Sequence, residues 1–458
     1  MTLSAAQPER VPLTKRITMS PMGESSAVIL GAGIAGLSAT QAISTRFGCV
    51  LIVERDVLPS EPMPRRGVPQ GRHPHVILAA GQAALARLFP GVREELVTAG
   101  AIPFEPGMDA LVYRYGSVWP KVDTGLPLVS CTRPLLEQVL RERVSGLPNV
   151  TIRDGLTCVG LVRGADGVVG VRLDTGETIG ASLVVDATGR SRASDRWLET
   201  VGFTTPSSVE VTVRVGYATR MFRRVPRLLP DGLGLLVLPT PPDQKSVGLI
   251  LPVEGERWQV TIGGWHGAFP GAESEFQRFA QCLPHDGVAE VIEKGEPTTG
   301  FATQAFPSSR RRLFEKLRRV PAGYVTLGDS ICSFNPIYGQ GVTCAVLSAL
   351  ALGGTLATHG DPTSAMAREF YRRAARIIRT PWWFATGGDF LFRETTGPKP
   401  IGIDFLNAYA TRVQIASKQD SDVWRTFLGV QHLMRSPIAL FTPPMVLKVL
   451  RASSGLMT

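Results

Sequence analysis

Residues 27–54 read AVILGAGIAGLSATQAISTRFGCVLIVE, and this stretch decides the fold. The run AVIL (27–30) is apolar and short, as a buried strand requires, and CVLIV (49–53) repeats the pattern. Between them, 34–47 reads as a helix, which gives the strand–helix–strand opening of a parallel sheet. Strand and helix are joined by Gly31-Ala32-Gly33-Ile34-Ala35-Gly36, a G-x-G-x-x-G turn. Gly31 permits the tight turn, Gly33 lets a pyrophosphate approach the backbone, and Gly36 lets helix and strand pack closely. The first helical residues then offer unpaired N–H groups and a positive dipole end to phosphate. Glu54 ends the second strand 18 residues after Gly36. Its carboxylate can accept both ribose hydroxyls of an adenosine and would repel a 2′-phosphate. The glycine pattern alone is weak, but in this setting it specifies a dinucleotide site.

A second motif lies some 300 residues on. Residues 326–342, TLGDSICSFNPIYGQGV, place Gly328-Asp329 after a buried strand (YVTL, 324–327). Pro336 and Gly339-Gln340-Gly341 then lead through Val342 into a long apolar helix. A third stretch, SCTRPLLEQVL (130–140), has Thr132 as a helix N-cap with Arg133 just inside. Taken together, and over essentially the whole chain, these motifs resemble those of class A flavoprotein monooxygenases. The resemblance implies FAD as cofactor, with Asp329 on its ribityl chain and the turn from Pro336 to Val342 against the isoalloxazine. There a helix N-terminus can stabilise charge on reduced flavin. It also implies cofactor contact by Arg133, and Val159 beside the adenine; Arg55 and Arg66 complete the expected cofactor set. No second G-x-G-x-x-G follows a strand, so NADPH would serve as a transient reductant without a domain of its own.

The family's Asp-Gly motif, tied to NADPH use, stands here as Asp186-Ala187-Thr188-Gly189-Arg190-Ser191. With the loop RRGVPQGRHPH (65–75) it resembles a branch of flavoenzymes from bacterial polyketide pathways. That branch holds polyether epoxidases and also the FAD-dependent [4+2] cyclases that form dialkyldecalins, such as that of the pyrroindomycin pathway. The epoxidases carry a similar D-x-T-G-R, so this motif does not separate the two chemistries.

The expected fold class is α/β: a Rossmann-type FAD-binding domain with an inserted antiparallel β-sheet substrate domain and a C-terminal helical segment. Residues 1–24 read as a flexible tail, and 25–204 as the first part of the FAD-binding domain. The substrate domain takes 205–310, where VEVTVRVGYATRMF, LGLLVLP, SVGLILPVE and RWQVTIGGW are strand-like without intervening helices. Residues 311–362 return to the cofactor domain, and 363–458 are mostly helical. Turns at 165–167 and 174–176 make 150–185 an antiparallel ribbon that ends in the strand LVV (183–185).

The sheet should wall a substrate pocket opposite the flavin, with Tyr217, Trp265 and His266 as candidate catalytic or pocket residues. Trp258 and Trp382-Trp383 are weaker candidates, since aromatics on strands are ordinarily core. His73 and His75 lack a third ligand, so no metal is expected and they are read as ordering their loop. Ser330 has no G-x-S-x-G elbow and is expected to touch flavin.

The 458 residues carry 49 Lys and Arg against 39 Asp and Glu, a net charge of +10. No dense basic run with interleaved aromatics occurs, so nucleic acid is not expected as a partner. The six cysteines are scattered without metal spacing and are expected to be reduced and buried in a cytoplasmic protein. The apolar stretch 341–358 imitates a membrane span. Its Gly353-Gly354 pair and small residues suit a helix packed on all sides inside the protein, so no transmembrane segment is expected. No pattern specifies an oligomeric state.

The expected partner is a lipophilic small molecule. The first functional reading is an FAD-dependent monooxygenase that epoxidises or hydroxylates a large lipophilic polyene or aromatic intermediate. The alternative is a redox-neutral [4+2] cyclase with structural FAD, which need only fold a linear polyene so that diene and alkene meet. A non-catalytic FAD-binding protein would leave the second sheet without a role.

Overall fold

In the computed structural model, which describes residues 25–454, the AVIL run forms the strand Ser26–Leu30 at the centre of a parallel sheet. Cys49–Val53 and then Val150–Arg153 pair on one side; Leu183–Asp186 and then Tyr324–Thr326 pair on the other. Both faces of the inner part of this five-stranded sheet are covered, which is why its inner strands read as largely apolar runs, while the edge strand Val150–Arg153 (VTIR) does not. The tail expected over 1–24 lies outside the described residues. Helix Ile34–Ile43 follows the glycine turn and gives way to a short 3-10 turn, Ser44–Arg46.

The apolar helix Gly341–His359 lies against Ile34–Ile43. Gly353 makes the approach feasible: a Cβ there would stand 2.6 Å from the Ala42 carbonyl oxygen. Among the described residues this is the one helix long and apolar enough to cross a membrane, and half of it is buried. The expectation of packing on all sides is therefore corrected, because Gly354, Ala357 and Thr358 face outward.

Residues 158–180 form a three-stranded antiparallel ribbon. Val150–Arg153, expected within it, instead extends the parallel sheet. The second large sheet has eight strands and differs from expectation in two ways. It recruits Ala110–Arg114, Ser117–Val118 and Cys332–Ser333 from outside 205–310, and Gly234–Val237 pairs with Ala110–Arg114 in parallel. The same stretch also contains two helices, Glu273–Gln281 and Gly287–Lys294. Each is short and amphipathic, with Phe276, Ala280, Val288 and Val291 buried in the same apolar cluster as Trp258 and Ile262 of the sheet.

The C-terminal region contains the helices Ser364–Asp389, Ile403–Ala416, Ser421–Gln431 and Pro443–Ser454. The cysteines are free, but only Cys332 and Cys344 are buried, while Cys49 and Cys282 are exposed. An apolar neighbourhood in sequence did not guarantee burial at a strand start or a helix end.

Two glycine substitutions test this packing in opposite directions. A Cβ on Gly36 would fall 1.9 Å from the Gly31 carbonyl oxygen, so Gly36→Ala should cost about 2 kcal/mol or more in chemical denaturation. Gly354→Ala meets only Arg373 Nη1 at 3.8 Å on an exposed helical face, and should stabilise by roughly 0.5–1 kcal/mol.

Candidate cofactor and substrate site

Sheet register brings the motifs together. Val53, Leu30, Asp186 and Thr326 lie side by side across four parallel strands. The residues that follow them, Glu54, Gly31, Ala187 and Leu327, therefore leave the same edge. Gly31 has φ +102°, and a Cβ there would stand 2.7 Å from the Ala187 carbonyl oxygen. Gly33 begins the helix without a side-chain cap, leaving the amides of Ile34, Ala35 and Gly36 available to a phosphate.

A cluster of buried charges surrounds this turn. Glu54 Oε2 accepts the Ala32 N–H at 2.7 Å and pairs with Arg65 Nη1 at 3.1 Å. Its Oε1 accepts the Asp56 N–H at 3.0 Å. Arg65 also reaches Glu137 Oε2 at 3.0 Å, and Glu137 Oε1 receives Arg133 Nε at 2.7 Å. Burial works against both charged groups, yet the two arginines hold the Glu137 carboxyl below its ordinary value. A Cβ on Gly33 would touch Arg133, Glu137 and Arg65 within 4.0 Å, so these side chains face the glycine turn.

Several assignments change here. Glu54 is not free for two ribose hydroxyls, because the protein already uses both of its oxygens; Oε1 keeps room for one more donor. Arg65, not Arg66, points inward: Arg65 is buried and Arg66 exposed. Arg55 is exposed and donates to the Gly67 carbonyl at 2.9 Å, where it braces the loop. Val159 is exposed on the ribbon strand Cys158–Arg163, which begins just after Leu156 donates to the Glu54 carbonyl. Arg133 opens the helix Arg133–Ser145. Thr132 accepts the Leu135 N–H as N-cap and is itself held by Glu254 at 2.6 Å.

The Gly-Asp half meets the first half directly. Gly328 has φ +65°, and a Cβ there would lie 3.0 Å from the Ala35 Cβ. Asp329 is half-buried, and its carboxylate bonds to no described side chain or amide. Burial raises its pKa, opposed by Arg133, Arg190 and Arg310. Pro336–Tyr338 makes a 3-10 turn, Gly339 takes φ +66°, and Gln340 precedes the helix of Gly341 and Val342. Gln340 Oε1 is buried without a hydrogen-bond partner. Two uncapped helix N-termini, an unengaged aspartate and an orphan acceptor fit an extended dinucleotide lying along this edge.

Ser330 does not face that edge. Its hydroxyl donates to the Gly189 carbonyl at 3.0 Å. Asp186 likewise turns inward: Oδ1 accepts from Thr188 Oγ1 at 2.7 Å and Oδ2 from the Tyr324 hydroxyl at 2.9 Å. Arg190 reaches Ser308 and Ser333 at 2.9 and 3.2 Å. The D-x-T-G-R loop is therefore tied into the protein.

Beside the Pro336–Gln340 turn opens a cavity of about 390 Å³. Tyr217 and Trp265 line it from the second sheet, and Trp424 and Phe427 from the C-terminal helices. His266 is outside it: its backbone takes φ +54°, and its Nε2 meets Thr395 Oγ1 at 3.2 Å. Trp258 is a core residue whose indole donates to the Leu233 carbonyl. Trp382 packs in the main core, and Trp383 is exposed. His75 lines the cavity; its Nδ1–H donates to the His73 carbonyl, so Nε2 accepts from Arg133 at 3.1 Å. His73 bonds Thr219 Oγ1 at 2.8 Å behind Tyr217. Burial pushes His73 down to about 4 and His75 to about 3, so both are neutral at pH 7.

The sequence reading missed Asp389. This fully buried residue ends helix Ser364–Asp389, and its Oδ1 accepts from Trp265 Nε1 at 2.8 Å and Asn335 Nδ2 at 2.7 Å. The Tyr338 hydroxyl adds a third bond at 3.3 Å, while Oδ2 is buried without a partner. Asp389 thus pins the Pro336–Tyr338 turn to the cavity wall. A single acid at the end of a helical stretch gave no pattern by which to find it.

Burial lifts the Asp389 carboxyl to about 7, against the three hydrogen bonds that favour its ionised form. The unfolded chain releases this proton near pH 4, so ionisation above that value favours unfolding until the native group also titrates. Native stability from this group is full below pH about 4 and declines up to pH about 7. Asp389→Asn should remove that decline, its gain on wild type growing from pH about 4 to on the order of 4 kcal/mol by pH about 8 in denaturation curves.

No protein-family model matches the chain. Among curated proteins, Protein Rv3254 of Mycobacterium tuberculosis is 34% identical over 391 residues, 81% of each chain. Solved structures show the same architecture at low identity. A flavoprotein/dehydrogenase from Cytophaga hutchinsonii has TM-score 0.68 at 17% identity, covering 94% of this chain and 99% of its own. The p-nitrophenol 4-monooxygenase PnpA of Pseudomonas putida gives 0.64 at 17%, covering 89% and 98%. HpxO of Klebsiella pneumoniae, solved with FAD and uric acid, gives 0.58 at 16%, covering 93% and 97%. The α/β fold read from the sequence is thus shared with these solved structures. By its likeness to the mycobacterial protein, the chain belongs to the family of Protein Rv3254.

Proposed function

We propose that this protein is an FAD-dependent monooxygenase that epoxidises or hydroxylates a large lipophilic intermediate of a natural-product pathway. One observation carries the reading: the edge that fits a dinucleotide opens, at the Pro336–Gln340 turn, directly into a large and mainly apolar cavity. Bound FAD would supply two-electron redox chemistry and the activation of dioxygen. The chain supplies the rest. Gly33 and the helix behind it would take the pyrophosphate, Asp329 the polyol, and the Gly341 helix N-terminus the electron-rich edge of the ring. Tyr217 and Trp265 exclude water from the face where substrate would lie, and Asp389 holds Trp265 and Tyr338 in place. No neutral histidine here needs to move a proton, since His73 and His75 are engaged with Thr219 and Arg133.

A second reading, the cyclase, is compatible with the same D-x-T-G-R loop, whose Asp186 and Arg190 are occupied inside the protein. In that reading FAD is structural and the cavity acts as an entropy trap for a [4+2] cyclisation.

Candidate polyene substrates with NADPH, in air and under anaerobic conditions, separate the two. Monooxygenation requires flavin bleaching, oxygen uptake and oxygen in the product. Turnover without oxygen on oxidised FAD would sink it and leave the cyclase. In either case Asp329→Ala should lower FAD retention by about tenfold or more, as loss of a charge-assisted contact predicts, measured by the FAD-to-protein ratio after gel filtration.

A further inference from the structure

Arg114 ends the strand Ala110–Arg114 and lines the cavity just described. Among the described residues lining that cavity it is the one side chain with a full charge. No aspartate, glutamate or lysine joins it, and burial pushes the lining histidines, His75 and His432, down to about 3 and 4.

Its partners are neutral. Nε donates to the Pro239 carbonyl at 3.0 Å, Nη1 donates to Gln414 Oε1, and the guanidinium stands 5.0 Å from the centre of the Tyr115 ring. Nη2 bonds to no described residue. The electrostatic neighbours of Arg114 are the phenols of Tyr115 and Tyr338, and burial lowers its pKa. Other inward arginines have carboxylate partners, Arg65 and Arg133 in Glu137 and Arg312 in Asp195, while Arg190 and Arg310, bonded to neutral groups, lie outside this cavity. A guanidinium set beside an apolar space without an anion is costly unless a ligand brings one. Gln414 and Pro239 aim the fork, satisfy two of its donors and leave the charge uncompensated.

We propose that Arg114 is an anion subsite of this cavity, so that the substrate is a lipophilic acid whose carboxylate-type oxyanion pairs with the guanidinium while its chain fills the apolar remainder. This rests on the reading of the cavity as the substrate pocket of a flavoenzyme. The fork of Nη1 and Nη2 suits two-point recognition of such a group. Tyr338 lies within the electrostatic reach of Arg114 and belongs to the turn expected against the flavin, which places the acidic head and the reacting chain in one enclosure.

The test compares dodecanoate with 1-dodecanol on the FAD-loaded protein at pH about 8, following tryptophan fluorescence and the flavin spectrum. Trp119, Trp265 and Trp424 line the cavity and report occupancy. Wild type should bind dodecanoate at least about tenfold more tightly than dodecanol, as a desolvated ion pair predicts. Arg114→Met should abolish that preference while leaving the dodecanol Kd within about twofold, and Arg114→Lys should keep part of it. Equal affinities in wild type, no binding of either probe, or equal weakening of both by Arg114→Met would each overturn the subsite. The wild-type comparison stands even if the methionine variant does not fold. Loss of anion preference in protein holding one FAD per chain refutes the subsite alone. Protein that prefers dodecanoate but takes up no FAD refutes the flavoenzyme reading alone.

Discussion

The site depends on one constraint, the parallel register that aligns Val53, Leu30, Asp186 and Thr326 across the central sheet. These residues come from four places in the chain, yet all four strands end at the same edge. Crevices outside the carboxyl ends of parallel strands are where such sheets bind ligands. Glycine at 31, 36 and 328 lets the emerging segments touch, through contacts with Ala187 O, Gly31 O and the Ala35 Cβ that no larger residue would allow. A site built this way is a product of backbone geometry first and side-chain chemistry second.

Charge then fixes what geometry brings near. Glu54, Arg65, Glu137 and Arg133 form a chain of buried ion pairs that joins the second strand, the 65–75 loop and the helix Arg133–Ser145. Such networks contribute little net stability, but breaking one leaves an uncompensated buried charge, so they hold loops in a single arrangement. Asp389 does comparable work without a cation. Three neutral donors converge on one of its oxygens, and the cost of burying the carboxylate appears as a pKa near neutrality. The same interior that disfavours charge at Asp389 keeps His73 and His75 neutral.

Much of this was legible in the sequence, and the remainder was not for identifiable reasons. Both glycine motifs, the Thr132 cap and the parallel strands follow from local pattern, because φ, burial and helix termini are local properties. Arg65 and Arg66 are adjacent in an irregular loop, and nothing local says which turns inward. Trp265 and His266 are likewise neighbours, and a left-handed backbone at His266 carries it away from the cavity. The helices Glu273–Gln281 and Gly287–Lys294 were hidden among strong strand signals. Asp389 gathers partners 54 and 124 residues distant, a tertiary fact with no spacing to betray it. The cavity itself is closed by helices Ile403–Ala416 and Ser421–Gln431, whose placement only the fold reveals.

In the proposed reading the two glycine motifs build one site, for FAD, and a nicotinamide dinucleotide acts only as a transient reductant. Titration of cofactor-free protein tests it most directly, with FAD fluorescence as the signal and NAD and NADPH as competitors. The account predicts saturable binding of FAD with a stoichiometry of one per chain, unaffected by either nicotinamide at equal concentration. Binding of NAD in place of FAD, or no saturable binding of FAD, would contradict it.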